Sequence, residues 1–447
     1  LVVPSGFVNL GTIEIGGGRQ IEVGGARLTN DAAATIQVPA GTQFGDPEIV
    51  GPWNNLGAMT VDRNLRMAAS GATYASGGSI DVGAAGWWIV VDADAFTNSG
   101  TFDVAGGQLS MGFTGAGAGF TNTGTMTTQG GSFFQLDVGP FAQPTGSISG
   151  AGVFRLTRVT AALPAGVTLG TELPDFFQLE SSALTVPLLT VPTGTQLLLQ
   201  VSAVTADVDL TGGALAAVGA GTSTVNGNLT TNGTSRIPVE GGSLGTPTLS
   251  IPAGYTNNGI TELTSSQAGS SATLATPTLT NNLGGRVNTG GSQPGTFTVV
   301  GNVVNQDQFG LQQDLTVQGA FSDQGTFSTS YTGNGSALNV QGLNIFNASF
   351  DNVRVVSAGG TLSNFSQVTF SNMDPTVPQL SLTHPGTALG PLTMTGLVFN
   401  TVPTTGAYMS LTDSDGGPVF LTVNVVTSTP LTGSALSLVS GGALLNW

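Results

Sequence analysis

The strongest constraint on the fold is a phrase that the chain uses twice. From Phe96 it reads FTNSGTFDVAGGQLSM, and from Phe120 it reads FTNTGTMTTQGGSFFQL. Set 24 residues apart, the copies share Phe96/Phe120, Thr97/Thr121, Asn98/Asn122, Gly100/Gly124, Thr101/Thr125, Gly106/Gly130 and Gly107/Gly131, seven identities in twelve positions. A repeat of this length is one supersecondary unit that cannot bury its apolar face alone, so it stacks on its neighbours.

The phrase recurs in weaker form. Phe7, Asn9 and Gly11 carry it first, Trp53, Asn55 and Gly57 carry it again, and YTNNG at 255 and LTNNLGG at 279 restore it later. The early starts fit a period of about 23 residues if each long gap holds two units. Around them apolar and polar residues alternate, as at Ile13 and Ile15, which is the signal of a half-buried strand. Hydrophobe-Pro-small-Gly corners recur at 3–6, 38–41, 163–166, 191–194 and 251–254, where Pro fixes φ and Gly permits a left-handed residue. No 3.6-residue apolar stripe exceeds two turns, and β-branched residues dominate the apolar set.

These features predict an all-β chain: a parallel β-solenoid with coils of about 23–24 residues, roughly 19 of them, and little or no α-helix. Asn9, Asn55, Asn98, Asn122, Asn257 and Asn281 would stack as an amide ladder, each side chain bonding the next across the strand spacing. Phe7, Trp53, Phe96, Phe120 and Tyr255 would form an aromatic stack in the core. Residues 1–340 hold the Asn/Gly-rich repeats, with less regular, more aliphatic coils at 151–225. Residues 341–447 carry longer hydrophobe-dense strands and Pro-rich links, a C-terminal β region that continues the helix.

Composition removes several function classes. The 25 acids face only 9 bases, all of them Arg, for a net charge of −16. Nucleic-acid binding needs clustered cations and is excluded as a partner class. No apolar run reaches the ~18–20 residues of a membrane-spanning helix. Cysteine is absent, which excludes a disulfide scaffold, thiolate metal sites and Cys nucleophiles. The opening LVVPSGFVNL has neither an initiator Met nor a basic start and reads as a processed or excised mature chain. The Lys-free texture, rich in Thr, Ser, Asn and Gly, points to an extracellular or cell-surface location.

Catalytic chemistry has little to work with. His384 is the only histidine, it lies beside Pro in LTHPG, and no G-x-S-x-G elbow is present. Sugar cleavage would need two acids across a cleft. The candidates are Asp92 and Asp94 in VVDADAF, on one face of a strand, and Asp413 and Asp415 in LTDSDGG. The last pair is also the calcium candidate, because DSDGG resembles part of an Asp-rich loop. It lacks the spaced ligands and closing Glu of an EF-hand, so a surface turn competes with it. No other cofactor is expected. Trp87 and Trp88 are adjacent in a strand-like run and should face opposite ways. One ring is then free to stack on a sugar or a partner, although core or subunit packing is the competing role. Both ends are apolar, with Leu1, Val2 and Val3 at one and Leu444, Leu445 and Trp447 at the other. No charged cap covers them, which marks them as contacts to other copies, end to end or by strand addition.

In its F-x-N-x-G-T phrases with following Gly-Gly (96–107, 120–131) and its composites VPSGFVNLG (3–11) and IPAGYTNNG (251–259), the chain resembles secreted bacterial β-solenoid proteins. The style is that of autotransporter passengers and filamentous-haemagglutinin-type adhesins, and it covers most of residues 1–340. The resemblance implies surface display, adhesion or matrix building, and it carries over no catalytic residue. Three functions follow as expectations. The first is a non-enzymatic extracellular structural protein that self-associates into a fibre, sheath or matrix. The second is an adhesin that binds cell-surface glycans through Trp87 or Trp88 and rows of Thr and Asn. The third is a polysaccharide-degrading β-helix.

Overall fold

The computed structural model describes the chain except residues 4, 24–26, 42–44, 69–72, 84–86, 114–118, 325–328, 359–361, 385–391, 401–408, 414–419, 428–435, 440–443 and 447. Strand residues 68, 89, 91–92 and several beyond 357 are described by backbone alone. Among the described residues every regular element is a β-strand and there is no helix. The strands pair in parallel, coil on coil, as a β-solenoid of about 16 turns. That is fewer than the 19 a uniform period would give, because coil length varies. The steps are 21 residues from Asn9 to Asn30, 25 from Asn30 to Asn55 and 24 from Asn98 to Asn122. They lengthen late in the chain, as from Leu380 to its partner Met409. Links between strands absorb the extra residues, since a surface loop tolerates insertion where a packed strand does not.

The chain forms two compact units, Leu1–Asp209 with Gly213–Leu215, and Leu210–Gly212 with Ala216–Trp447. The change of texture past residue 340 falls inside the second unit, within the long strand Thr329–Ala358.

In the first unit a seven-stranded parallel sheet runs from Thr12–Glu14 to Ser147–Ser149. Alternation sends Ile36, Met59, Ile80, Phe102, Met126 and Ile148 inward in one column, all 2% exposed or less. Burying each such side chain contributes roughly 1.5–3 kcal/mol. The opposite face is polar, and there Asp81 stands in register beside Asp103. Burial, then the negative charges of Asp103 and Asp62, push the Asp81 carboxyl above its ordinary value of 3.8. An acid whose folded pKa is raised favours the folded state below that pKa and opposes it once ionised. Stability should therefore rise slightly as pH falls from neutral through the raised value, and level off below 3.8, where the group is protonated in both states. Asp81→Asn should raise the melting temperature at neutral pH and flatten that dependence. The effect should stay below ~1 kcal/mol because the group faces solvent. Thermal melts of both proteins across this range check it.

From residue 133 strands of ten residues occur, as in Phe133–Ala142, Val153–Ala162 and Ala183–Pro192. Four residues at the corners of these coils are left-handed: Val138, Arg158, Ser181 and Val201 have φ of 64°, 56°, 48° and 51°. None is glycine, so the corner is imposed by the coils on either side rather than by local preference.

The Asn residues stack through the core wall. Asn9 donates through Nδ2 to Asn30 Oδ1 (2.8 Å), and Asn30 to Asn55 Oδ1 (2.7 Å). Asn98 donates to Asn122 (2.9 Å), Asn257 to Asn281 (2.9 Å) and Asn281 to Asn305 (2.8 Å). Most rungs also donate to a backbone carbonyl across the turn, as Asn122 does to Ser147 (3.0 Å). Asn30 and Asn305 were not singled out by the phrase, although Asn30 fills half of the long gap between Phe7 and Trp53. Ser76 takes the rung between Asn55 and Asn98. Its shorter side chain leaves Asn98 Oδ1 buried without a partner.

The glycine of the phrase has a different reason from the one its composition suggests. It is not needed for a left-handed turn. A Cβ on Gly100 would lie 2.0 Å from the carbonyl oxygen of Gly78 in the preceding coil. At the Pro corners, by contrast, Gly194 and Gly254 are left-handed (φ 87° and 81°), whereas Gly41 and Gly166 are not.

The aromatic starts occupy one register column in the first unit: Leu28, Trp53, Tyr74, Phe96, Phe120 and Phe141. Trp53, Phe96 and Phe120 are buried, with the Phe96 and Phe120 rings 5.8 Å apart. Phe7 is only half-buried and stands beside Leu28. Tyr255, in the second unit, stands beside Leu279 and its hydroxyl contacts Thr261. The second unit builds its own stack from Tyr331, Phe350, Phe370 and Phe399, with successive centroids 4.3, 5.2 and 5.3 Å apart.

Candidate functional site

The strand Trp87–Ala93 alternates at its start as expected: Trp88 is fully buried, and Trp87 is 43% exposed on the outer face. Trp88 packs edge-on against Trp53 and flat against Phe102, so its role is in the core. Trp87 belongs to an outer row. Register carries it to Gln108, Phe133, Val153, Phe176 and Gln196 on the next five strands, all within the first unit. Aromatic rings thus stand on alternate coils, with Phe176 42% exposed. The Arg155 guanidinium lies 5.0 Å from the Phe133 ring centroid, and its Nε donates to Gln178 Oε1 at 2.7 Å. Gln135 and Gln178 flank the rings from the neighbouring outward row.

Neither Phe133 nor Phe176 was singled out from the sequence. A signal was there. The doublets Trp87-Trp88, Phe133-Phe134 and Phe176-Phe177 each send the second ring inward and the first outward, and FFQL occurs at both 133–136 and 176–179. In such a doublet the buried ring sets the strand phase, and the pleat then exposes its neighbour.

The remaining candidates do not converge. The alternation that would put Asp92 and Asp94 on one face is broken by a register shift between Val90 and Ala93. Ala93 is buried there and Asp94 is half-buried. Asp413 ends the strand Met409–Asp413, its backbone in register with His384, and Asp415 lies outside the described residues. Among the described residues no group of three or more His, Cys, Asp or Glu could hold a metal ion. On the outer face near the aromatic row, Asp137 pairs with Arg158 at 2.7 Å and Glu180 with Arg155 at 3.9 Å. Leu1 and Val2 are exposed, Val3 is half-buried, and their strand pairs with Gln20–Val23. Leu444 and Leu445 lie on a strand paired with Phe420–Thr427, and Trp447 lies outside the described residues.

Comparison with known proteins brings no relative to this arrangement: no family model matches the chain, and neither a curated protein nor a solved structure matches it.

Proposed function

We propose that the chain is a non-enzymatic carbohydrate-binding β-helix of the cell surface or extracellular space. The outer row of the first unit would hold an extended polysaccharide. One observation carries the reading: Trp87, Phe133 and Phe176 stand on alternate coils in one outward register row. Parallel strands step by ~4.8 Å, about one pyranose in an extended chain, so alternate coils are about one disaccharide apart. Aromatic faces take up the apolar C–H face of a sugar, and flanking amides both donate to and accept from its hydroxyls. Net charge of −16 disfavours polyanionic chains, which leaves neutral polysaccharides. The reading is non-enzymatic because Asp137 and Glu180 beside the row are engaged by arginines rather than paired across a cleft. We rank it above end-to-end self-association, which rests on the apolar ends of the sequence alone.

The test is depletion of the protein by insoluble neutral polysaccharides, with soluble polygalacturonate as the acidic comparison. Replacing Trp87 and Phe176 together by Ala should weaken binding by roughly 2 kcal/mol per ring. Thermal stability should barely change, since both rings are half exposed. Binding undiminished by the double substitution, or no binding to any neutral polysaccharide, rejects the proposal.

A further inference from the structure

The second unit carries a polar groove of 1180 Å³ over four parallel strands, Ile260–Ser265, Arg286–Gly291, Gln308–Leu311 and the start of Thr329–Ala358. Its floor is the outward row Glu262, Asn288, Gly310 and Thr332, in register across the four coils. Glycine makes room in it for two amides. Gly310 and Gly290 have no side chains, and the amides of Asn288 and Gln312 lean into that space. Their Oδ1 and Oε1 atoms would be 2.6 and 2.8 Å from the missing Cβ atoms.

The charges in the groove are already engaged. Glu262 pairs with Arg236 at 2.6 Å, and Arg286 donates to Gln308 Oε1 at 2.7 Å. The Asn288 and Gln312 side chains make no hydrogen bond to another described residue. An anion would find one committed guanidinium, and an apolar ligand would find no exposed ring, since Phe309 is fully buried. What the groove offers is amides and a Thr hydroxyl, groups that donate and accept at once. Their complement is a surface of hydroxyls that does the same.

We propose that this groove binds a neutral oligosaccharide lying across the coils. Four strands at the parallel spacing span ~14 Å, about three pyranoses, one per step between coils. The site is separate from the aromatic row of the first unit. It lacks ring platforms, so hydrogen-bond geometry rather than stacking would set its preference, and it would discriminate hydroxyl stereochemistry.

The experiment is calorimetric titration of the full chain with neutral trisaccharides of gluco, manno, xylo and N-acetylglucosamine type, and with trigalacturonate. It uses the wild type, Asn288→Ala/Gln312→Ala, Thr332→Trp and Trp87→Ala/Phe176→Ala. At least one neutral trisaccharide should bind. Its affinity should fall at least tenfold in Asn288→Ala/Gln312→Ala and be abolished by Thr332→Trp, which fills the groove from an exposed position. It should be unchanged in Trp87→Ala/Phe176→Ala. Retained thermal melting of each variant shows that the fold is intact. No binding of any neutral trisaccharide overturns the proposal. So does binding indifferent to the groove variants, or tighter binding of trigalacturonate. Polysaccharide binding lost only with Trp87 and Phe176 overturns the groove while leaving the aromatic row standing.

Discussion

Gly100→Ala should destabilise the protein by at least ~3 kcal/mol, and Gly130→Ala, in the same repeated phrase, should change stability by less than ~0.5 kcal/mol. The added methyl at Gly100 would lie 2.0 Å from the Gly78 oxygen and 2.7 Å from the Gly77 carbonyl carbon, and both are backbone atoms. Thr101 donates its N–H to that same Gly78 oxygen at 3.1 Å, so neither coil can retreat without breaking the ladder bond. At Gly130 a methyl would meet nothing within 4 Å. The same chemical change therefore separates close coil approach from turn preference. Thermal or denaturant midpoints, with hydrogen exchange at residues 96–104, measure it. A Gly100→Ala protein that melts with the parent would remove the close-approach account.

Asn281→Asp should be nearly as damaging, at about 4 kcal/mol, and worse than Asn281→Ala at about 2 kcal/mol. Asn281 is completely buried, accepts from Asn257 at 2.9 Å and donates to Asn305 Oδ1 at 2.8 Å and to the Gln308 carbonyl at 3.3 Å. A carboxylate keeps the first bond, loses both donors, and sets a buried charge against two oxygens. Acidification should recover part of the loss in the Asp variant, because a proton removes the charge and restores one donor. The Ala variant has no such group and should show no such recovery. Denaturant midpoints at neutral pH and near pH 4 compare them. An Asp variant as stable as the Ala variant at neutral pH would mean that the rung acts by shape and not by donation.

Other features sit where the ladder changes character. In the second unit Asp323 follows Asn305 in register and is 2% exposed. It accepts from Tyr331 at 2.9 Å and from Thr329, while Asn305 donates to the Tyr331 hydroxyl at 2.7 Å. Amides pass a donor from coil to coil in one direction, so a group that only accepts is a suitable place to end. Burial and the neighbouring Asp323 push the Tyr331 hydroxyl well above its ordinary value, which keeps it a donor.

How much was legible can be judged from single residues. Phe96, Asn98 and Gly100 announced the repeat because each does the same task as its counterpart one coil on, and identical tasks select identical residues. Trp87 and Trp88 could be assigned opposite faces because the pleat of a strand is local. Asn30 and Ser76 were missed because coil lengths vary by a few residues, which blurs any fixed period. Val138 and Val201 gave no hint that they would turn left-handed, since valine disfavours that conformation by itself.

The outer surface follows from a different cause. From residues alone come the strand class, the parallel stacking, the amide rungs and the poverty of catalytic groups, all of which depend on local pattern or on composition. Only the tertiary structure decides that Trp87, Phe133 and Phe176 form a row, or that Glu262, Asn288, Gly310 and Thr332 share a groove floor. Inward residues are selected coil by coil to fill one common core, so they repeat and can be read. Outward residues meet only solvent along the chain, so nothing makes them repeat. Their neighbours are set by register between coils some twenty residues apart, and that register exists only once the solenoid is wound.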